Sequence, residues 1–206
     1  MTQTPRPRSL TPVVLILLIA LAPVVFALIA YFMPASGLRP GGSTNYGELI
    51  DPQRPLPPAE TLSLRTLDDR LYDLESLHGH WVLVSADHAA CPESCVRKLF
   101  ILRNSHASQG KEVERLRRVW FILDEGEVDK QILEAYKGTV MLRARPETLG
   151  RFLVPDANAG QAADALLAPM WIIDPLGNLM MRFPADADPI KVRDDIRKLL
   201  RNSRIG

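Results

Sequence analysis

Residues 13–33 read VVLILLIALAPVVFALIAYFM, an apolar run broken only by the phenol of Tyr31. About 20 apolar residues in a helix cross the ~30 Å hydrocarbon core of a bilayer. The run therefore predicts a transmembrane helix with Pro23 as an internal kink, which membrane helices tolerate. Arg6 and Arg8 precede it, and Arg39 is the first positive charge after it. That bias places the N-terminus on the inner side and the bulk of the chain outside. A cleaved signal peptide would have a shorter apolar region and a small-x-small site. Met33, Pro34 and Ala35 match such a site poorly, so an uncleaved anchor is expected. Residues 34–58 are rich in Pro, Gly and polar side chains and hold no sustained helical or strand period. They predict an extended stalk. Within it, residues 45–50 (NYGELI) are more specific than a linker needs. They fit docking on the domain, docking on a partner, or a plain turn.

From residue 59 the pattern changes. Residues 81–86 (WVLVSA) and 119–123 (VWFIL) are continuous apolar runs, as expected of strands buried on both faces. Between them, Val96, Leu99 and Phe100 fall at helical spacing after Pro92. Short helices are expected over 129–136 and 147–152, with a brief strand at 139–142. Residues 170–173 and 179–183 flank an Asp-Pro-Leu-Gly-Asn turn, which signals a hairpin. A last helix begins at Asp188 as N-cap and Pro189 as first helical residue, with Val192, Ile196, Leu199 and Leu200 as its apolar stripe. Alternating strands and helices predict an α/β fold with a central mixed sheet and helices on both faces.

Composition narrows the function classes. The 206 residues carry 25 basic and 24 acidic side chains, a net charge of +1, which offers no argument for nucleic acid. Cys91 and Cys95 are the only cysteines, and the four histidines add no second paired cluster, so a structural zinc site is not expected. The sequence Cys91-Pro92-Glu93-Ser94-Cys95 follows a buried strand and opens a helix. With Pro92 first in the helix, Cys91 reads as the N-cap, where free N–H groups and the helix dipole favour a thiolate. Glu93 opposes this in part. Residues four apart on a helix lie ~6 Å apart, within reach of a disulfide. Cys91 thus reads as the attacking thiol and Cys95 as the resolving one. The same sulfurs suit Cu(I), which prefers soft ligands. His88 in the preceding loop and the Met170 thioether are candidate third ligands, whereas His106 lies ~16 Å along the helix. A structural disulfide is the third reading. The acids at Asp124, Glu125, Glu127 and Asp129 read as a solvated loop with helix-capping acids.

Residues 79–84 (GHWVLV), the Cys-x-x-x-Cys motif, residues 121–124 (FILD) and residues 173–177 (IDPLG) together resemble the Sco/SenC family. The likeness runs from about residue 62 to the C-terminus, and its specific part is the cysteine spacing. It implies a thioredoxin-like fold anchored in a membrane, and a role in assembling the copper centre of cytochrome c oxidase. The implied partners are an oxidase subunit or another assembly factor. The implied location is a bacterial inner membrane with the C-terminal domain in the periplasm. The expected organisation is then a cytoplasmic N-terminus (1–12), a transmembrane helix (13–33), a stalk (34–58) and a thioredoxin-like domain (59–206). The family's third copper ligand is a histidine whose place falls near Leu166, and no histidine follows His106. Thiol–disulfide exchange is therefore favoured over Cu(I) delivery, with a non-catalytic scaffold as the further alternative. Pro169 stands where thioredoxin-like proteins carry a cis-proline facing the cysteines, and a trans turn proline is the other reading.

Overall fold

The computed structural model describes residues 10–32 and 44–206, apart from the side chain of Ala159. The chain divides into two units between residues 44 and 45. In the first, helix α1 (Thr11–Phe32) includes Pro23 and buries none of its residues. Its 22 residues are long and apolar enough to cross a membrane.

The second unit is a seven-stranded mixed sheet. Its strands are β1 (Glu48–Pro55), β2 (Arg65–Thr66), β3 (Trp81–Asp87), β4 (Leu116–Ile122), β5 (Val140–Arg143), β6 (Met170–Ile173) and β7 (Asn178–Phe183). They lie in the order β1-β7-β6-β3-β4-β5-β2. The central β3–β4–β5 pairs are parallel, and the flanking pairs are antiparallel. The helices are α2 (Ala59–Leu62), α3 (Glu93–Ala107), α4 (Lys130–Ala135), α5 (Pro146–Leu153), α6 (Ala162–Leu167) and α7 (Pro189–Asn202).

Alternation along β3 divides the core. Trp81 and Leu83 join Leu99 and Leu102 of α3 and Val192 and Ile196 of α7 on one face. Val82, Val84 and Ala86 join Leu149 and Phe152 of α5 and Leu166 of α6 on the other. Every residue of β3 is buried, as its unbroken apolar run requires with helices on both sides. Asp188 caps α7 by accepting from the Ile190 and Lys191 N–H groups, and Pro189 opens the helix.

The expected stalk needs correcting. Its residues 34–43 lie outside the described residues, and its distal half is part of the domain. Strand β1 pairs antiparallel with β7, through Glu48 with Arg182 and Leu49 with Met181. Pro52 and Pro55 hid this strand in the sequence. At a sheet edge, prolines that lack an N–H are tolerated. Ahead of β1, the buried carboxylate of Asp195 on α7 accepts the N–H groups of Tyr46 (2.7 Å) and Gly47 (2.8 Å). The Tyr46 ring stacks on Phe183, and its hydroxyl accepts the Asp188 N–H. Residues 45–50 therefore dock on this chain's own domain.

Gly47 is required by close approach. A Cβ there would stand 2.5 Å from the Met181 sulfur and 2.9 Å from the Phe183 ring. Gly47→Ala is expected to cost roughly 1–3 kcal/mol, as overpacking does. Chemical denaturation of the full chain in detergent checks this, and an unchanged midpoint contradicts the docking.

Candidate functional site

The site forms where β3 ends and α3 begins. Cys91 and Cys95 are joined in a disulfide, with Cα atoms 5.0 Å apart. Both belong to the core cluster that also holds Met170, Trp120 and Leu99. Cys91 keeps 7% of its surface exposed and Cys95 keeps 1%. The pair is thus nearly covered, and what exposure it has belongs to Cys91.

Cys91 is not the N-cap. The carbonyl of Pro92 accepts the first intrahelical hydrogen bond, from the Val96 N–H at 3.0 Å, so Pro92 holds the cap position. Cys91 precedes it with φ of 42°, in the left-handed region, and its N–H donates to the His88 carbonyl at 3.0 Å. The N–H of Cys91 is therefore spent on a turn.

The other side chains named from the sequence take separate places. His88 Nδ1 lies 3.1 Å from Asp124 Oδ2, which makes Asp124 its partner. Met170 is buried at the start of β6. Among the described residues no three His, Cys, Asp or Glu side chains are grouped as metal ligands. The donor set of Cys91, Cys95 and His88 is thus not assembled for Cu(I): the sulfurs are bonded to each other and one ring nitrogen is engaged. Among the described residues the one cis peptide bond is Asp51–Pro52, so Pro169 is trans. It lines a groove of about 450 Å³ with Tyr46, Glu48, Arg182 and Pro184. A larger groove of about 610 Å³ runs along α3, walled by Val96, Phe100, Ile101, Tyr136, Met170 and Ala185.

Behind the disulfide lies a buried ion pair that the sequence reading did not find. Lys98 Nζ sits 2.8 Å from Asp87 Oδ2, with the two side chains 5% and 3% exposed. The contact is an ion pair and not an aligned hydrogen bond, since Oδ2 finds no hydrogen-bond partner. The ammonium also donates to the carbonyls of Ala86 (2.6 Å) and Leu167. Burial pushes the Lys98 ammonium below its usual range near 10.5, and Asp87 opposes the shift. Two signals pointed here. Asp87 ends a run that is apolar but for Ser85, and Lys98 falls on the helical face of Cys95, Leu99 and Leu102.

Residues 81–203 match the family model described as transmembrane-like, thioredoxin-like, C-terminal domain. No curated protein matches the chain. Its structural neighbours include proteins of the Sco family. ScoI from Arabidopsis thaliana with copper bound superposes with a TM-score of 0.51 at 16% identity, over 77% of this chain and 99% of that one. BsSco, described as a cytochrome c oxidase assembly protein with a disulfide switch, gives 0.51 at 16% identity, over 75% and 96%. A thiol:disulfide interchange protein from Bacteroides sp. gives 0.52 at 14% identity, over 74% and 91%. Likeness at this identity establishes the thioredoxin-like fold.

Lys98→Met leaves the Asp87 carboxylate buried without its cation. The expected loss is roughly 3–5 kcal/mol of domain stability. Adding Asp87→Leu to it is expected to recover much of that loss, because no charge then stays buried. Urea denaturation of the full chain checks both, and a single variant as stable as wild type contradicts the pairing.

Proposed function

The chain belongs to the transmembrane-like, thioredoxin-like C-terminal domain family, and on that premise we propose that it is a membrane-anchored thiol–disulfide exchange protein acting in cytochrome c oxidase assembly. The observation that carries the exchange reading is the disulfide at the mouth of α3, nearly covered, with Cys95 sealed at 1% exposure and Cys91 keeping 7%. An exchange pair needs that asymmetry, because the partner must meet one sulfur while the second waits behind it.

In the reduced form, the Cys91 thiolate attacks one sulfur of a partner disulfide. An S–S bond forms between Cys91 and the partner, and the partner's other sulfur leaves as a thiolate that takes up a proton. Cys95, deprotonated, then attacks the Cys91 sulfur. The intramolecular disulfide closes, and the second partner thiolate departs. Two electrons pass from the pair to the partner, and a dithiol reductant must return them for another cycle. Met170 and Tyr136 line the groove beside α3, the natural seat for apolar residues flanking the partner's cysteines.

The oxidase setting rests on the Sco/SenC resemblance. An anchored domain on the periplasmic face, with its N-terminus in the cytoplasm, suits a partner cysteine pair that must be reduced before it takes up copper. Copper is then the cargo of the partner. Delivery by this chain itself is the weaker reading, since the two sulfurs stand here without a third assembled ligand.

Cys95→Ala removes the resolving thiol and leaves Cys91 able to attack. Incubated with oxidised membrane extract, this variant is expected to accumulate mixed disulfides through Cys91, mapped by mass spectrometry. Equal trapping by Cys91→Ala, or none by either variant, contradicts the assignment.

A further inference from the structure

Cys91 is a non-glycine residue held in the left-handed region. Such a conformation costs of order 1–3 kcal/mol and persists only where the surroundings enforce it. A carboxylate on the neighbouring loop holds the two residues that open this turn. Asp124, two residues beyond the end of β4, accepts the Ala89 N–H with Oδ1 at 3.0 Å. Its Oδ2 lies 3.1 Å from His88 Nδ1. One side chain thus grips both residues that follow β3, and the His88 carbonyl in turn accepts the Cys91 N–H.

Asp124 is itself fixed. Its Oδ1 also accepts the Gly126 N–H at 3.1 Å. Arg143 on β5 donates to the carbonyls of Asp124 (2.7 Å) and Gly126 (2.9 Å). Gly126 lies so close to the turn that a Cβ there would stand 3.0 Å from the Cβ of Ala89. The contact between β3 and β4 therefore continues past the sheet, from the Leu123 N–H on the Asp87 carbonyl to the Asp124 carboxylate on Ala89.

We infer that Asp124 is the positioning residue for Cys91, holding its turn in place while the sulfur changes partners. The inference rests on the exchange reading above. Ring closure requires Cys95 to find the Cys91 sulfur, whose backbone must keep its place when the disulfide no longer holds it. A misplacement of about 1 Å costs on the order of a hundredfold in such a step.

The test is ring closure in the reduced full chain in detergent, using oxidised glutathione as the probe disulfide. Formation of the mixed disulfide and release of the second glutathione are timed separately. Asp124→Ala is expected to slow the release step by roughly tenfold to a hundredfold. Asp124→Asn keeps an oxygen acceptor for the Ala89 and Gly126 N–H groups and is expected to close near the wild-type rate. A purely structural role would lower the unfolding midpoints without separating the two variants in rate. Wild-type closure in Asp124→Ala, or equal slowing in both, overturns the inference. Should Asp124→Ala fail to fold, Gly126→Ala pushes on Ala89 with the carboxylate intact. Slowed closure there supports the inference, and a wild-type rate overturns it. A wild-type chain that forms no mixed disulfide removes the exchange reading and this inference together, whereas one that does leaves only the inference at stake.

Discussion

One ammonium group joins the pieces that surround the disulfide. Lys98 projects from α3, one turn beyond Cys95, into the interior. There it meets Asp87 and Ala86 at the end of β3 and the carbonyl of Leu167 at the end of α6. Burying a charge is unfavourable unless it is paired and its protons are used. Here a carboxylate and two carbonyls surround the group, and the lowered proton affinity of Lys98 records the remaining penalty. The consequence is geometric. The helix that carries Cys95, the strand that leads to Cys91 and the turn that leads to Pro169 are fastened at one point.

On the exchange reading, that fastening lets a nearly buried disulfide take part. A pair lying open on the surface needs no shaping, but a covered one must present one sulfur and withhold the other. Cys95 lies on the inner face of α3 beside Leu99 and Leu102, and Cys91 lies outside the helix in a turn of its own. Pro92 enforces this division. As N-cap its carbonyl starts the helix, and the residue before a proline is kept out of helical backbone. The proline therefore sets Cys91 apart from the helix that holds its partner.

Much of this was legible in the sequence because the signals were local and dense. Continuous apolar runs marked β3 and β4, Asp188 and Pro189 marked the start of α7, and the cysteine spacing marked the disulfide. What was not legible depends on contacts between distant segments. Strand β1 has prolines and no clean alternation, and becomes a strand only because β7 offers an edge and Asp195 holds the N–H groups of Tyr46 and Gly47. Reading Pro92 as the first helical residue put Cys91 one position too far into the helix. A β-turn to His88 decided the matter, and such a turn leaves little trace in composition. Asp124 looked like one acid in a solvated loop, because its partners at Ala89 and His88 lie more than 30 residues away.

The exchange reading requires that the Cys91–Cys95 bond open and close in a domain that stays folded. Equilibration of the full chain in detergent with graded glutathione redox buffers, read by thiol alkylation and by tryptophan fluorescence, tests it most directly. Exchange requires reversible two-electron titration at a potential above about −300 mV, the region below which structural disulfides sit, with the folded fluorescence kept in the reduced form. A pair that stays oxidised throughout, or a domain that unfolds as the bond opens, would contradict it and leave a disulfide that serves only to hold the fold.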